Sequence, residues 1–143
     1  MNLQHKQITI VKEKLRGITK LPKEFKFAIA ASKKSDLYQH KLGAAVYHNG
    51  KFITSGFNQQ KTHPIMRKYN ENLKTLHAEI HAITKAKAIK FDISGSTVFI
   101  FRQKKSGDLG MAKPCSVCME ILKDFDVKEI IFTSESGYDR IKM

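Results

Sequence analysis

Four side chains of this 143-residue chain that can bind a metal or transfer protons lie close together in two short segments. His77 and Glu79 are separated by one alanine, while Cys115 and Cys118, the only cysteines of the sequence, follow Pro114. One imidazole and two thiolates form a donor set typical of zinc, and three protein ligands leave the fourth tetrahedral position open, as catalytic zinc requires. We therefore predict one catalytic zinc ion held by His77, Cys115 and Cys118. Glu79 then lies beside the metal as a carboxylate that can transfer protons.

The spacing of these residues predicts that they lie at the starts of two helices. Cys115 and Cys118 are three positions apart, so both sulfurs can face one side of a first helical turn, where free amide groups favour thiolate. Residues two positions apart do not share a face inside a helix. His77 and Glu79 can therefore address one pocket only if His77 lies within a residue or two of a helix start.

Three alternative interpretations of these residues remain open at this point. The cysteine pair could be a redox C-x-x-C, which would leave His77 and Glu79 without a role. Glu79 could be an ordinary solvated carboxylate on the surface. His81, four positions after His77, could supply a second imidazole, but a fourth protein ligand would make the site structural. We predict instead that His81 packs against the sheet.

The composition indicates one globular domain with a strong positive charge. Lys and Arg number 26 against 13 Asp and Glu, giving a net charge of +13. This excess attracts phosphate on a nucleotide or a nucleic acid, although a solvated lysine-rich surface is an equal alternative. No apolar stretch approaches the roughly 20 residues that span a membrane. No apolar signal segment is recognisable either, so we expect a cytoplasmic protein without membrane contact.

Hydrophobic periodicity predicts an N-terminal extension followed by one α/β domain. Within residues 1–22, an apolar stripe with helical spacing predicts a short packing or oligomer-contact helix; it comprises Ile8, Val11, Leu15 and Ile18. Residues 23–143 form the predicted domain. Strands at 42–47 and 52–57 are joined at Asn49-Gly50, a strong hairpin signal.

The rest of the domain alternates helices, strands and basic connections. Helices are predicted at 77–88 and 114–123, the second with Pro114 in its first turn, and strands at 97–101, 128–132 and 138–142. A long polar connection spans 59–75, and a basic loop spans 104–113. Because only about five residues separate the last two strands, we predict that these two strands are antiparallel.

Three segments of the chain resemble motifs of the cytidine/deoxycytidylate deaminase superfamily. They are Thr54-Ser55-Gly56-Phe57-Asn58, His77-Ala78-Glu79 and Pro114-Cys115-Ser116-Val117-Cys118. The resemblance covers residues 23–143 and implies a cytidine-deaminase-like three-layer fold, with a mixed five-stranded sheet and helices on both faces. It also implies a zinc-dependent hydrolase that converts cytosine to uracil and releases ammonia, with Glu79 as the acid and base.

The resemblance and the charge pattern together suggest which residues meet the substrate. The resemblance implies that Asn58 contacts the sugar or the base. The complete predicted set of substrate-binding residues is Asn58, Ala78, Phe57, Arg102, Lys61 and His63. Lys61 and Arg102 are candidate phosphate contacts, together with Arg67 and Lys104. Many members of the superfamily have Glu directly before Pro-Cys, where this chain has Lys113.

From these features we predict deamination of cytosine in a free nucleoside or nucleotide by a homo-oligomeric enzyme. The alternative is a cytosine deaminase that acts on single-stranded DNA or RNA through a longer basic groove. A catalytically silent zinc scaffold is disfavoured because Glu79 is intact. The short final connection does not resemble that of the tRNA adenosine deaminase type, whose last strand is parallel and preceded by a helix, so adenine is the less favoured substrate.

Overall fold

The computed structural model describes residues 20–70, 72 and 74–143. Five strands form one mixed sheet in the order β2-β1-β3-β4-β5. The strands are β1 (Lys41–His48), β2 (Lys51–Phe57), β3 (Thr97–Gln103), β4 (Glu129–Ser134) and β5 (Gly137–Lys142). The helices are α1 (Lys26–Ser32), which a 3₁₀ turn at Lys23–Phe25 precedes, α2 (Pro64–Tyr69), α3 (Ala78–Ala88) and α4 (Ser116–Asp124). The apolar stripe predicted between residues 8 and 18 lies outside the described residues.

The directions of the first and last strand pairs and the mixed character of the sheet agree with the sequence-based expectation. β1 is antiparallel to β2 and β3, β3 is parallel to β4, and β4 is antiparallel to β5. The first hairpin turns at Asn49 and Gly50, whose φ angles of 51° and 77° are those of a two-residue primed turn. β4 and β5 are joined by only Glu135 and Ser136, so the predicted antiparallel pairing is confirmed with an even shorter connection.

Helices cover both faces of the sheet, which confirms the predicted three-layer architecture. On one face, α3 and α4 pack against alternate strand residues such as Val46 and Ile100, and these residues are fully buried. On the other face, the segment that includes α1 packs against the opposite set of strand residues, with Phe25 edge-on to Phe99 at 5.2 Å between ring centroids. No helix in the described part of the chain is long and apolar enough to cross a membrane.

Two local features differ from the sequence-based expectation. The polar connection at 59–75 contains the helix α2, which Met66 anchors by complete burial; six residues are too few for a periodic signal. Pro114 does not lie in the first turn of α4, because the helix begins at Ser116. Cys115 is the extended N-cap residue (ψ 168°), and its sulfur accepts a hydrogen bond from the amide N of Cys118 at 3.5 Å.

Candidate active site

The N-termini of α3 and α4 converge and bring one imidazole and two thiols together. His77 is the extended N-cap residue of α3, and Cys115 holds the same position on α4. His77 Nδ1 lies 3.0 Å from Cys118 Sγ and 3.8 Å from Cys115 Sγ. Among the described residues, these three form the group able to hold a metal ion, with all ligand atoms within 4.8 Å of one another. The structure therefore confirms the prediction that His77 lies at the start of a helix.

The position of α3 depends on its close approach to β2. A Cβ atom at Gly56 would lie 2.4 Å from the amide N of Ala82, so a larger residue would push the helix away from the strand. Thr54 secures the same contact, because its hydroxyl donates to the Ala82 carbonyl at 2.8 Å. Gln59 and Leu76 exchange two main-chain hydrogen bonds, which fix the chain just before the helix starts.

The protonation states of the three donors are strongly coupled. Hydrogen bonds with Cys118 and with His77 lower the pKa of Cys115 to about 3. The hydrogen bond with Cys115, together with burial, raises the pKa of Cys118, and the hydrogen bond with Cys115 also raises the pKa of His77. The first negative charge therefore forms on Cys115 while Cys118 stays a thiol, and a divalent cation between them would favour both thiolates. The donor set fits one zinc ion.

Glu79 lies in the first turn of α3 and is buried, with 3% of its side chain exposed. Its Oε1 atom lies 3.9 Å from His77 Nδ1, and no Lys or Arg of the described chain pairs with it. A buried carboxylate that pairs with no Lys or Arg is costly, so such a group indicates a functional position. The alternative of a solvated surface carboxylate is wrong.

His81 lies outside the donor group, as predicted. Its Nδ1 atom accepts a hydrogen bond from the amide N of Phe57 at 3.1 Å, and its ring meets the Phe57 ring edge-on at 5.0 Å. Burial and the nearby Lys85 ammonium lower the pKa of His81 to about 4. The side chain is therefore a neutral packing group between α3 and β2.

A cavity of about 430 Å³ opens next to the donor group. Its lining includes His77, Glu79 and Cys115, together with the small, fully buried Ala78. The volume lies in the range of small-molecule sites. The cavity and the donor group are thus parts of one site.

Asn58 lines this cavity but is largely committed to the main chain. Its Oδ1 atom accepts from the amide N of Leu42 at 2.9 Å, and its Nδ2 atom donates to the His40 carbonyl. The amide therefore ties the end of β2 to the start of β1. One N–H and one acceptor lone pair remain for a ligand.

Two cationic side chains, Arg102 and Lys113, also line the cavity. The Nη2 atom of Arg102 lies 2.8 Å from His40 Nδ1, and Nη1 donates to the Met111 carbonyl at 3.4 Å. Its Nε atom is buried and has no hydrogen-bond partner among the described residues. No carboxylate of the described chain forms an ion pair with either cation. This wall is consequently suited to an anion.

The remaining predicted substrate contacts do not line this cavity. Phe57 packs against His81, and Lys61 is exposed in the connection that follows β2. His63 caps α2 through a hydrogen bond from the amide N of Ile65 at 3.2 Å and lines a different cavity. Lys104, which was one of the candidate phosphate contacts, pairs with Glu135 at 2.6 Å.

Sequence patterns gave no indication that His40 belongs to the site. Its ring contacts Arg102 across 62 positions of the chain, and only the pairing of β1 with β3 brings the two residues together. Lys113 stands out in the sequence because it replaces the Glu found before Pro-Cys in many relatives. Its place on the cavity wall agrees with its position two residues before the predicted zinc ligand Cys115.

Comparison with known proteins identifies the family. Residues 19–134 match the family described as "Cytidine and deoxycytidylate deaminase zinc-binding region". This match covers most of the chain, and the protein therefore belongs to that family. Membership of this family supports hydrolytic deamination of a nucleoside or nucleotide in broad terms, and its zinc-binding region agrees with the His77, Cys115 and Cys118 donor group. A search of curated protein sequences found no match to this chain.

Solved structures of related enzymes share the fold. The apo dCMP deaminase from the cyanophage S-TIM5 has 24% identity, with 79% of this chain and 81% of that chain covered and a TM-score of 0.58. The cytidine deaminase from Burkholderia pseudomallei has 19% identity, with 83% and 89% covered and a TM-score of 0.63. At these identities the comparisons establish the fold but not the substrate.

Proposed function

We propose that this protein deaminates the cytosine of a free nucleoside or nucleotide, giving uracil and ammonia. The observation that carries the proposal is a buried carboxylate, Glu79, which shares a cavity of about 430 Å³ with the His77, Cys115 and Cys118 donor group. A pyrimidine base fits such a volume, and the donor group has the composition of a catalytic zinc site. Membership of a deaminase family supports the same chemistry.

His77, Cys115 and Cys118 would hold the zinc ion, which when bound acts as a Lewis acid and lowers the pKa of water. Glu79 takes a proton from the attacking water and delivers it to N3 of the cytosine ring, which makes C4 electrophilic. A new C4–O bond forms, and Glu79 then takes the proton of the new C4 hydroxyl and passes it to the exocyclic amine, so that the C4 carbonyl of uracil forms. The C4–N4 bond breaks and ammonia leaves, so the carboxylate returns to its starting state.

Among free substrates, the cavity favours a nucleotide over a nucleoside. Arg102 and Lys113 provide two positive charges on the cavity wall, and no carboxylate of the described chain forms an ion pair with either of them. The two terminal nitrogens of Arg102 each make one contact among the described residues and carry two hydrogens, so each keeps an N–H group for a ligand. Arginine recognises phosphate in a bidentate manner, so a 5′-phosphate is the group expected on this wall.

One observation favours the second candidate substrate, a cytosine within a single strand of nucleic acid. Tyr38 is 84% exposed and follows Leu37, which lines the cavity. The ammonium of Lys41 lies 6.0 Å from the centre of the Tyr38 ring. An exposed aromatic ring next to a cation is a surface on which a neighbouring base can stack.

The two candidates are separated by measuring ammonia release from deoxycytidine, dCMP and a single-stranded oligonucleotide at low and moderate salt. Our proposal predicts turnover of dCMP, with weaker use of deoxycytidine, and no change in the dCMP rate when Tyr38 is replaced by Ala. Activity confined to the oligonucleotide, falling steeply with salt and lost in Tyr38→Ala, would establish the second candidate instead.

A further inference from the structure

We propose that Thr133 is a positioning residue that sets the orientation of Arg102 and thereby the preference of the cavity for a phosphorylated substrate. The residue lies on β4, it does not line the cavity, and its side chain is fully buried. The inference depends on the proposed function, because it assumes that Arg102 binds the phosphate of a nucleotide.

Thr133 lies where two parallel strands separate. The last paired residues of β3 and β4 are Ile100 and Phe132. Beyond this pair, residues 110–112 lie between the strands and form main-chain hydrogen bonds with both of them. The amide N of Gly110 donates to the Arg102 carbonyl, and the amide N of Ala112 donates to the Thr133 carbonyl, each at 2.9 Å. The cavity wall is thus inserted between two strand ends.

The hydroxyl of Thr133 joins the two sides of this insertion. It accepts a hydrogen bond from the amide N of Arg102 at 3.0 Å and donates one to the Gly110 carbonyl at 2.9 Å. A threonine hydroxyl can donate only one hydrogen bond, and Thr133 donates it to the Gly110 carbonyl of the loop. One buried side chain therefore fixes the main chain of the arginine and the main chain of the loop relative to each other.

The same loop holds the guanidinium. A Cβ atom at Gly110 would lie 3.0 Å from both Cγ and Cδ of Arg102, and the Met111 carbonyl accepts from its Nη1 at 3.4 Å. Since no carboxylate of the described chain anchors Arg102, its direction depends on these loop contacts and on His40. A small movement of the loop would therefore redirect the guanidinium.

Glu79 is positioned by different contacts. Its helix is held on β2 by Gly56 and by the Thr54 hydroxyl, on the far side of β1 from β3. Loss of the Thr133 hydroxyl should consequently affect phosphate recognition more than proton transfer. This separation gives the inference a signature that general damage to the fold would not produce.

The test compares Thr133→Val with Thr133→Ser, using dCMP and deoxycytidine, which differ only in the phosphate. Valine removes the hydroxyl at nearly constant volume. We expect KM for dCMP to rise about tenfold in this variant. The kcat for dCMP and the kcat/KM for deoxycytidine should each change by less than about twofold. Serine retains the hydroxyl and should restore the wild-type KM. Thr54→Val is the matched control, because it removes another buried threonine hydroxyl that makes a hydrogen bond of 2.8 Å; any effect there should be equal for the two substrates.

Equal effects of Thr133→Val on both substrates, or a serine variant as impaired as the valine variant, would overturn the inference. If Thr133→Val does not fold, Gly110→Ala decides, because its methyl group pushes directly on the Arg102 side chain and should give the same selective rise in KM. Arg102→Ala tests the underlying proposal separately. If that variant leaves the ratio of dCMP to deoxycytidine activity unchanged, the proposed phosphate contact fails; if it lowers the ratio while Thr133→Val does not, only the positioning role fails.

Discussion

Replacing Arg102 with Ala should selectively weaken the binding of phosphorylated substrates. The guanidinium lines the cavity, forms no ion pair with a carboxylate of the described residues, and keeps N–H groups on its two terminal nitrogens for a ligand. A hydrogen bond to a charged group contributes about 1.5–3 kcal/mol, which corresponds to roughly a 10- to 150-fold loss in kcat/KM for dCMP. Deoxycytidine lacks the phosphate, so its kcat/KM should change by less than about threefold.

The assay for this prediction is steady-state ammonia release with dCMP and deoxycytidine, at constant ionic strength because surface charge also attracts phosphate. Lys104→Ala is the matched control, since it removes a cation of the adjoining loop that pairs with Glu135 and does not line the cavity. Its dCMP kinetics should resemble the wild type. Equal losses for dCMP and deoxycytidine in Arg102→Ala, or equal losses in the two variants, would refute the reasoning.

Two further predictions concern the packing that supports the site. Gly56→Ala places a methyl group 2.4 Å from the amide N of Ala82, so α3 must move. We expect the free energy of unfolding measured with urea to fall by about 1–3 kcal/mol and the activity to decrease. Ser55→Ala, the control, should leave both nearly unchanged. The pKa of His81 is lowered in the folded state to about 4, from an ordinary value of 6.5. The unfolded chain therefore takes up this proton first as the pH falls, and stability should decrease from about pH 6.5 to pH 4. His81→Gln should flatten that part of the pH–stability profile, and an unchanged slope would contradict the assignment.

Local spacing was enough to predict the parts of the site that lie at helix starts. The His77 and Glu79 separation requires an irregular first turn, and the structure has His77 at the N-cap position of α3. Asn49-Gly50 similarly specified a tight hairpin, because few dipeptides tolerate two positive φ angles. In each case the deciding interaction is between residues close in sequence.

The cationic wall could not be predicted in the same way. Lys61, Arg102 and Lys104 are equivalent as charges in a sequence, yet of these only Arg102 lines the cavity. Arg102 differs from the other two because it lies on β3 opposite Leu42 of β1, contacts His40, and adjoins the loop inserted between β3 and β4. These are long-range interactions, and no pattern in the sequence encodes them.

The central claim is that Glu79 transfers protons beside a zinc ion held by His77, Cys115 and Cys118. It is tested most directly by measuring the zinc content and the ammonia release of Glu79→Gln on the same protein preparation. We predict one zinc ion per chain, as in the wild type, with turnover of dCMP reduced by about two to four orders of magnitude. A variant that keeps its zinc and still releases ammonia at the wild-type rate would contradict this role for Glu79.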